Sequence, residues 1–190
     1  MTRGVILDRD GTLVDVVRDE ETGVITTAFH PAQLRLLPGV VEGLRALQSG
    51  GFTLAIATNQ PGPAKGHFSA AAVKATNDAL VAMLAKQNVQ VAYVAVCMHH
   101  PSVGPCDCRK PKPGMFVEIA EALRLDRGAS WSIGDTTTDV EAGRAAGMKT
   151  GLVFDPKRCE LCPLRGGPAG NPDVSGATLR AVAEAILQSC

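Results

Sequence analysis

With 190 residues, 45% of them apolar and 20% charged, the chain can bury a sizeable core and is too apolar for a disordered segment. Nineteen basic residues balance nineteen acidic ones, and aromatics make up 4%, so nothing points to nucleic acid, to a membrane surface or to a base-stacking face. No stretch approaches the roughly 18 consecutive apolar residues of a membrane span.

The opening Met1-Thr2-Arg3-Gly4-Val5-Ile6-Leu7 runs straight into a charged motif. No signal peptide is expected, and a cytoplasmic protein with reduced thiols is. Residues 5–7 are the first of five short apolar runs; the others are 52–57, 89–96, 131–133 and 150–154. Residues 14–38 read as a surface loop. Val40, Val41, Leu44 and Leu47 then recur at helical spacing until Gly50-Gly51. A second loop, 61–68, precedes an alanine-rich helix over 70–86. Pro113 opens a helix over 115–123, with Phe116, Ile119, Ala120 and Leu123 on one side. A short helix over 139–146 ends at Gly147. Residues 156–171, rich in Gly, Pro and Arg, read as irregular, and 177–188 as a final weak helix.

Strand alternating with helix predicts an α/β fold with a mostly parallel sheet, because buried parallel strands read as continuous apolar runs. The expected division is one domain over residues 1–155, with 156–190 a tail whose short helix packs on it. In such sheets ligands bind beyond the carboxyl ends of the strands. Polar residues stand at those ends: Asp8 and Asp10, Thr58 and Asn59, Cys97 and His99, Gly134 and Asp135.

Asp8-Arg9-Asp10-Gly11-Thr12-Leu13 follows the first run. Carboxylates two residues apart share one side of an extended chain. Such a pair can supply a nucleophile and a proton donor for phosphoryl transfer and hold magnesium through its oxygens. Cys97, His99, Cys106 and Cys108 form C-x-H-x6-C-x-C, two ligand pairs that can close a tetrahedral Cys3His zinc site with no open position. Its expected role is structural, fixing the loop that continues into Arg109 and Lys110. His100 faces the other side of the same extended segment and is left out. Cys159, Cys162 and Cys190 are expected to be free thiols.

These motifs resemble the haloacid dehalogenase superfamily: DxDGT at Asp8, a strand-end Thr at Thr58, a lysine before a helix at Lys110, and GDxxxD from Gly134 to Asp139. The resemblance implies a Rossmann-like, mostly parallel sheet flanked by helices. It implies a magnesium-dependent phosphatase in which Asp8 attacks phosphorus, Asp10 is acid and base, and Thr58 and Lys110 hold the phosphoryl group. Asp8, Asp135 and the backbone carbonyl of Asp10 would hold Mg2+, with Asp139 behind them. The zinc loop and the minimal cap look most like the heptose-bisphosphate and histidinol-phosphate phosphatase group, in which Arg109, Asn59 and, more weakly, Lys65 would meet substrate. The implied substrate is a small sugar phosphate, heptose 1,7-bisphosphate at its 7-phosphate, with histidinol phosphate the alternative. The implied partners are that small molecule alone, for a monomer bound to neither nucleic acid nor membrane. A zinc-stabilised binding module without catalysis is the alternative of another class. Val14, Pro61, Pro63 and Thr136 depart from the heptose enzymes' usual residues, all near the expected mouth.

Overall fold

All four residues of β1 (Gly4–Leu7) are buried, as a strand covered on both faces requires. In the computed structural model, which describes residues 2–18, 21, 23, 25–154 and 170–189, alternate side chains of this strand enter two cores. Val5 and Leu7 join Leu44, Leu47, Leu80, Val182 and Ile186 on one face. Ile6 joins Met115, Phe116, Ile119 and Ala142 on the other. This is the two-residue period of an extended chain.

A two-stranded ribbon, β2 (Val17–Arg18) and β3 (Ile25–Thr26), and a 3-10 turn at Pro31–Gln33 follow β1. Then come α1 (Val40–Ser49), β4 (Thr53–Asn59), α2 (Ala70–Ala85), β5 (Val91–Cys97) and α3 (Gly114–Ala122). After them stand β6 (Trp131–Gly134), α4 (Thr137–Ala145), β7 (Lys149–Val153), β8 (Val174–Gly176) and α5 (Leu179–Gln188). Ser69 caps α2 and Thr178 caps α5, each hydroxyl accepting a backbone N–H of the first turn.

Six strands form one parallel sheet in the order β5-β4-β1-β6-β7-β8. The chain builds outward from β1 on one side, then returns to build on the other. β1 and β6 therefore flank the switch point where a crevice opens beyond the strand ends. Helices α1, α2 and α5 cover one face, α3 and α4 the other. Alanines Ala55, Ala57 and Ala95 face α3 and α4, so that layer sits close to the sheet.

The five apolar runs are β1, β4, β5, β6 and β7 of this sheet, each within two residues of its expected ends. The expected final helix packs on the sheet, and a strand that was not expected precedes it. Val174–Gly176 pairs in parallel with β7, and Leu179, Val182, Ala183 and Ile186 of α5 are buried against the first core. A three-residue strand with one intermediate, one exposed and one intermediate position carries no apolar run to read. Residues 155–169, with Cys159 and Cys162, and Cys190 lie outside the described residues. Among those described, no helix is long and apolar enough to cross a membrane.

Candidate active site

Asp8 stands immediately beyond β1, at the switch point. Lys110 Nζ donates to Asp8 Oδ1 at 2.6 Å, to Asp139 Oδ1 at 2.6 Å and to the Ala57 carbonyl at 2.9 Å. All three donors of the ammonium are used, and the side chain is 3% exposed. Asp8, Asp135 and Asp139 each offer a carboxylate oxygen within 4.8 Å of the others. The glycines of both motifs make this approach possible. A Cβ at Gly11, where φ is 87°, would overlap the Asp135 carboxylate, and one at Gly134 would overlap Asp139.

Burial pushes Asp8 up to about 7, and the carboxylates of Asp139 and Asp10 add to the rise against the opposing pull of Lys110. Burial and then Asp8 and Asp139 push Asp135 up to about 8. Burial works to lower Lys110, but Asp139 and Asp8 outweigh it and hold the ammonium above its ordinary value. A dication among these acids would reverse the carboxyl shifts. The hard oxygen donors suit magnesium. Both oxygens of Asp139 are already engaged: Oδ1 by Lys110, and Oδ2 by the Thr136 backbone N–H at 3.2 Å and hydroxyl at 2.6 Å. Asp8 and Asp135 are therefore the side chains that could hold a cation.

Asp10 is held from a different side. Arg9 Nε donates to its Oδ2 at 2.9 Å and Arg9 Nη2 to its Oδ1 at 3.2 Å. Arg9 is fully buried, because the residue between two same-side carboxylates points the opposite way, into the core. There its remaining donors reach Asn77 Oδ1 and the Ala28 carbonyl, each at 2.7 Å. Gln60, also fully buried, donates from Nε2 to Asp10 Oδ2 at 2.7 Å and to Thr58 Oγ1 at 2.8 Å. The sequence does not show these contacts. A charged residue on the buried side of an acidic pair is the available signal for Arg9; Gln60 stands in the segment Thr58-Asn59-Gln60, which resembles one of the heptose phosphatases, but the resemblance gives it no role.

Asn59 meets Lys110 through its backbone: Nδ2 donates to the Lys110 carbonyl and Oδ1 accepts its N–H, both at 3.2 Å. The amide expected at the substrate thus anchors the lysine. His30 caps the 3-10 turn, its Nδ1 accepting from Ala32 N. Arg109 touches the His99 carbonyl at 3.4 Å. Together with Lys65 it lies near His100, whose imidazole is pushed down by desolvation and then by these two cations. The result is a positive rim around His100.

Cys97, His99, Cys106 and Cys108 converge. Cys97 Sγ is 3.8 Å from Cys106 Sγ and 3.7 Å from His99 Nδ1, and His99 Nδ1 is 3.2 Å from Cys108 Sγ. With Zn–S near 2.3 Å and Zn–N near 2.0–2.1 Å, a tetrahedron sets ligand separations of about 3.6–3.8 Å, so the donors fit zinc with small adjustment. Burial and the adjacent Cys97 and Cys106 push the Cys108 thiol up to about 12, a cost that a bound cation removes. His100 turns away, to Ser102. The Cys97 carbonyl accepts from Gln60 N at 2.7 Å, tying this loop to the segment that holds Asp10.

Comparison with known proteins agrees with this geometry. Residues 107–158 match the family described as HAD-hydrolase-like. A D-glycero-beta-D-manno-heptose-1,7-bisphosphate 7-phosphatase from Pseudomonas aeruginosa is 35% identical over 97% of both chains. The enzyme of that name from Pseudomonas putida is 38% identical over 78% of this chain and 81% of its own. The structure of a D,D-heptose 1,7-bisphosphate phosphatase from B. bronchiseptica, complexed with magnesium and phosphate, superposes with a TM-score of 0.80 at 33% identity, covering 99% of each chain. With the acid cluster, the lysine and relatives of this similarity over most of its length, the chain belongs to the haloacid dehalogenase-like phosphatases.

Proposed function

We propose that this phosphatase removes the 7-phosphate of D-glycero-beta-D-manno-heptose 1,7-bisphosphate through an aspartyl-phosphate on Asp8, with Mg2+ at the active site and Zn2+ in the Cys97–Cys108 loop. The observation that carries the chemistry is the Lys110 ammonium placed 2.6 Å from both Asp8 and Asp139. A nucleophilic carboxylate and a fixed cation at one point are what an incoming phosphoryl group needs.

Asp8 attacks phosphorus, and the ester oxygen leaves with a proton from Asp10. Water then attacks the phosphorus of the acyl phosphate, giving its proton to Asp10 and freeing Asp8 and inorganic phosphate. Thr58 Oγ1 accepts from Gln60, so its own hydrogen is free to bond a phosphoryl oxygen. Lys110 offsets the charge that gathers there. Asp8, Asp135 and the Asp10 carbonyl would hold magnesium, which would supply further positive charge to the phosphoryl group when bound. The zinc cluster is closed and two residues from Lys110, so its part is to hold that lysine's loop. Thiolate ligands require a reducing compartment, which suits the cytoplasm.

The positive rim of Arg109 and Lys65 favours a second phosphate over histidinol phosphate, whose amine is a cation. We expect kcat/KM for the heptose bisphosphate to exceed that for histidinol phosphate by about 100-fold or more, a gap of roughly 3 kcal/mol. Phosphate release with both substrates, magnesium present, measures it; equal or inverted constants would remove this substrate assignment. For the loop, elemental analysis should find one zinc per chain. Cys106→Ser should lose that zinc and lower both the melting temperature and kcat, whereas a variant retaining full activity without zinc would refute the holding role.

A further inference from the structure

We infer that Gln60 is a positioning residue of the reaction, whose amide sets the orientation of the Asp10 carboxyl and the Thr58 hydroxyl together. The inference rests on the proposed role of Asp10 as proton donor and deepens it. Gln60 is fully buried, and a buried amide must find partners. Its choice of partners is the point. The two hydrogens of one Nε2 serve two groups that act on the same phosphate: Asp10 Oδ2 at 2.7 Å and Thr58 Oγ1 at 2.8 Å. Its Oε1 accepts the Thr27 hydroxyl at 3.1 Å, which fixes which end of the amide faces inward. Its backbone N–H is bonded to Cys97, so the side chain starts from a fixed point.

The geometry assigns distinct work to the two oxygens of Asp10. Oδ2 takes the short contacts, from Gln60 at 2.7 Å and Arg9 Nε at 2.9 Å. Oδ1 takes longer ones, from Arg9 Nη2 at 3.2 Å and Ala28 N at 3.3 Å. Oδ2 is thus the anchored atom, and Oδ1 the one turned to the leaving oxygen. Without Gln60 the carboxyl keeps Arg9 but loses the contact that chooses its rotation. Thr58 loses the donor that directs its hydrogen outward. Misplacement of a proton donor by about 1 Å can cost two orders of magnitude.

Such a role has a signature that loss of structure lacks. A sugar alkoxide must be protonated as it leaves, whereas 4-nitrophenolate leaves unaided. The ratio of kcat/KM for the heptose bisphosphate to kcat/KM for 4-nitrophenyl phosphate therefore reports proton donation in the first transfer. Gln60→Met keeps the volume and removes the amide. It should lower kcat/KM for the heptose ester by about 100- to 1,000-fold and for the aryl ester by about 10-fold, through Thr58, so that the ratio falls about 10-fold or more. Thr27→Val, which leaves the core intact, should lower the ratio in the same direction by about 3-fold. Equal losses on both esters in the two variants would overturn the inference. Asp10→Asn is the control. If it too leaves the ratio unchanged, the acid role itself is wrong; if it collapses the ratio while Gln60→Met does not, the inference about Gln60 alone fails.

Discussion

Asp8→Asn is expected to reduce phosphate release from either a sugar phosphate or an aryl phosphate by about 10,000-fold or more, with the zinc content unchanged. The amide keeps the shape of the carboxyl but carries no charge and is a poor nucleophile. Proton donation and phosphate binding remain in such a variant, yet neither replaces the missing bond to phosphorus. The Cys97, His99, Cys106 and Cys108 cluster runs from the end of β5 into the loop before α3 and is separate from the acid group of Asp8. Elemental analysis alongside a phosphate assay reads both outcomes. A non-catalytic module held by zinc would show wild type and variant alike.

Lys110→Met should abolish measurable turnover and also weaken the fold. Three hydrogen bonds of a buried ammonium disappear, and Asp8 and Asp139 are left facing each other without the cation between them. Removing one partner of a buried ion pair costs about 3–5 kcal/mol. The loss depends on pH in a definite direction. Lys110 lowers both Asp8 and Asp135, so its removal raises them further above about 7 and about 8. A carboxyl raised in the folded state favours that state below its unfolded value near 3.8 and loses the advantage as pH rises through the folded one. Without added magnesium, the gap in melting temperature between wild type and variant should widen from pH 5 to pH 8. A gap independent of pH would mean that the lysine is not what restrains these acids.

The same features decide what was legible in the sequence. The central strands were, because burial on both faces makes each a continuous apolar run. The acid pair and Asp135 were legible as well, since they stand at strand ends and the spacing within each motif is local; Lys110 and Asp139, before and within helices, were legible only through the resemblance. The convergence of Cys97, His99, Cys106 and Cys108 could be read from the two-residue period of an extended chain. β8 was not legible: an edge strand of three residues has no run to display. Neither was the network of Arg9, Gln60, Asn77 and Thr27, whose members come from four separate segments and meet only after the sheet has formed. Asn59 shows a further limit. Its position beside Thr58 suggests a contact with substrate, and spacing alone does not show that its amide also holds the Lys110 backbone. A polar side chain at a crevice can serve the protein as readily as the ligand, and only the coordinates of both partners distinguish the two.

The measurement that bears most directly on the whole account is acid-quenched mass spectrometry of the enzyme during turnover of the heptose bisphosphate with magnesium. The account predicts a single phosphoryl adduct on the peptide carrying Asp8, labile to hydroxylamine and absent from Asp8→Asn. An adduct on another residue, or turnover at full rate with inversion of configuration at phosphorus, as a direct attack by water would give, would contradict it.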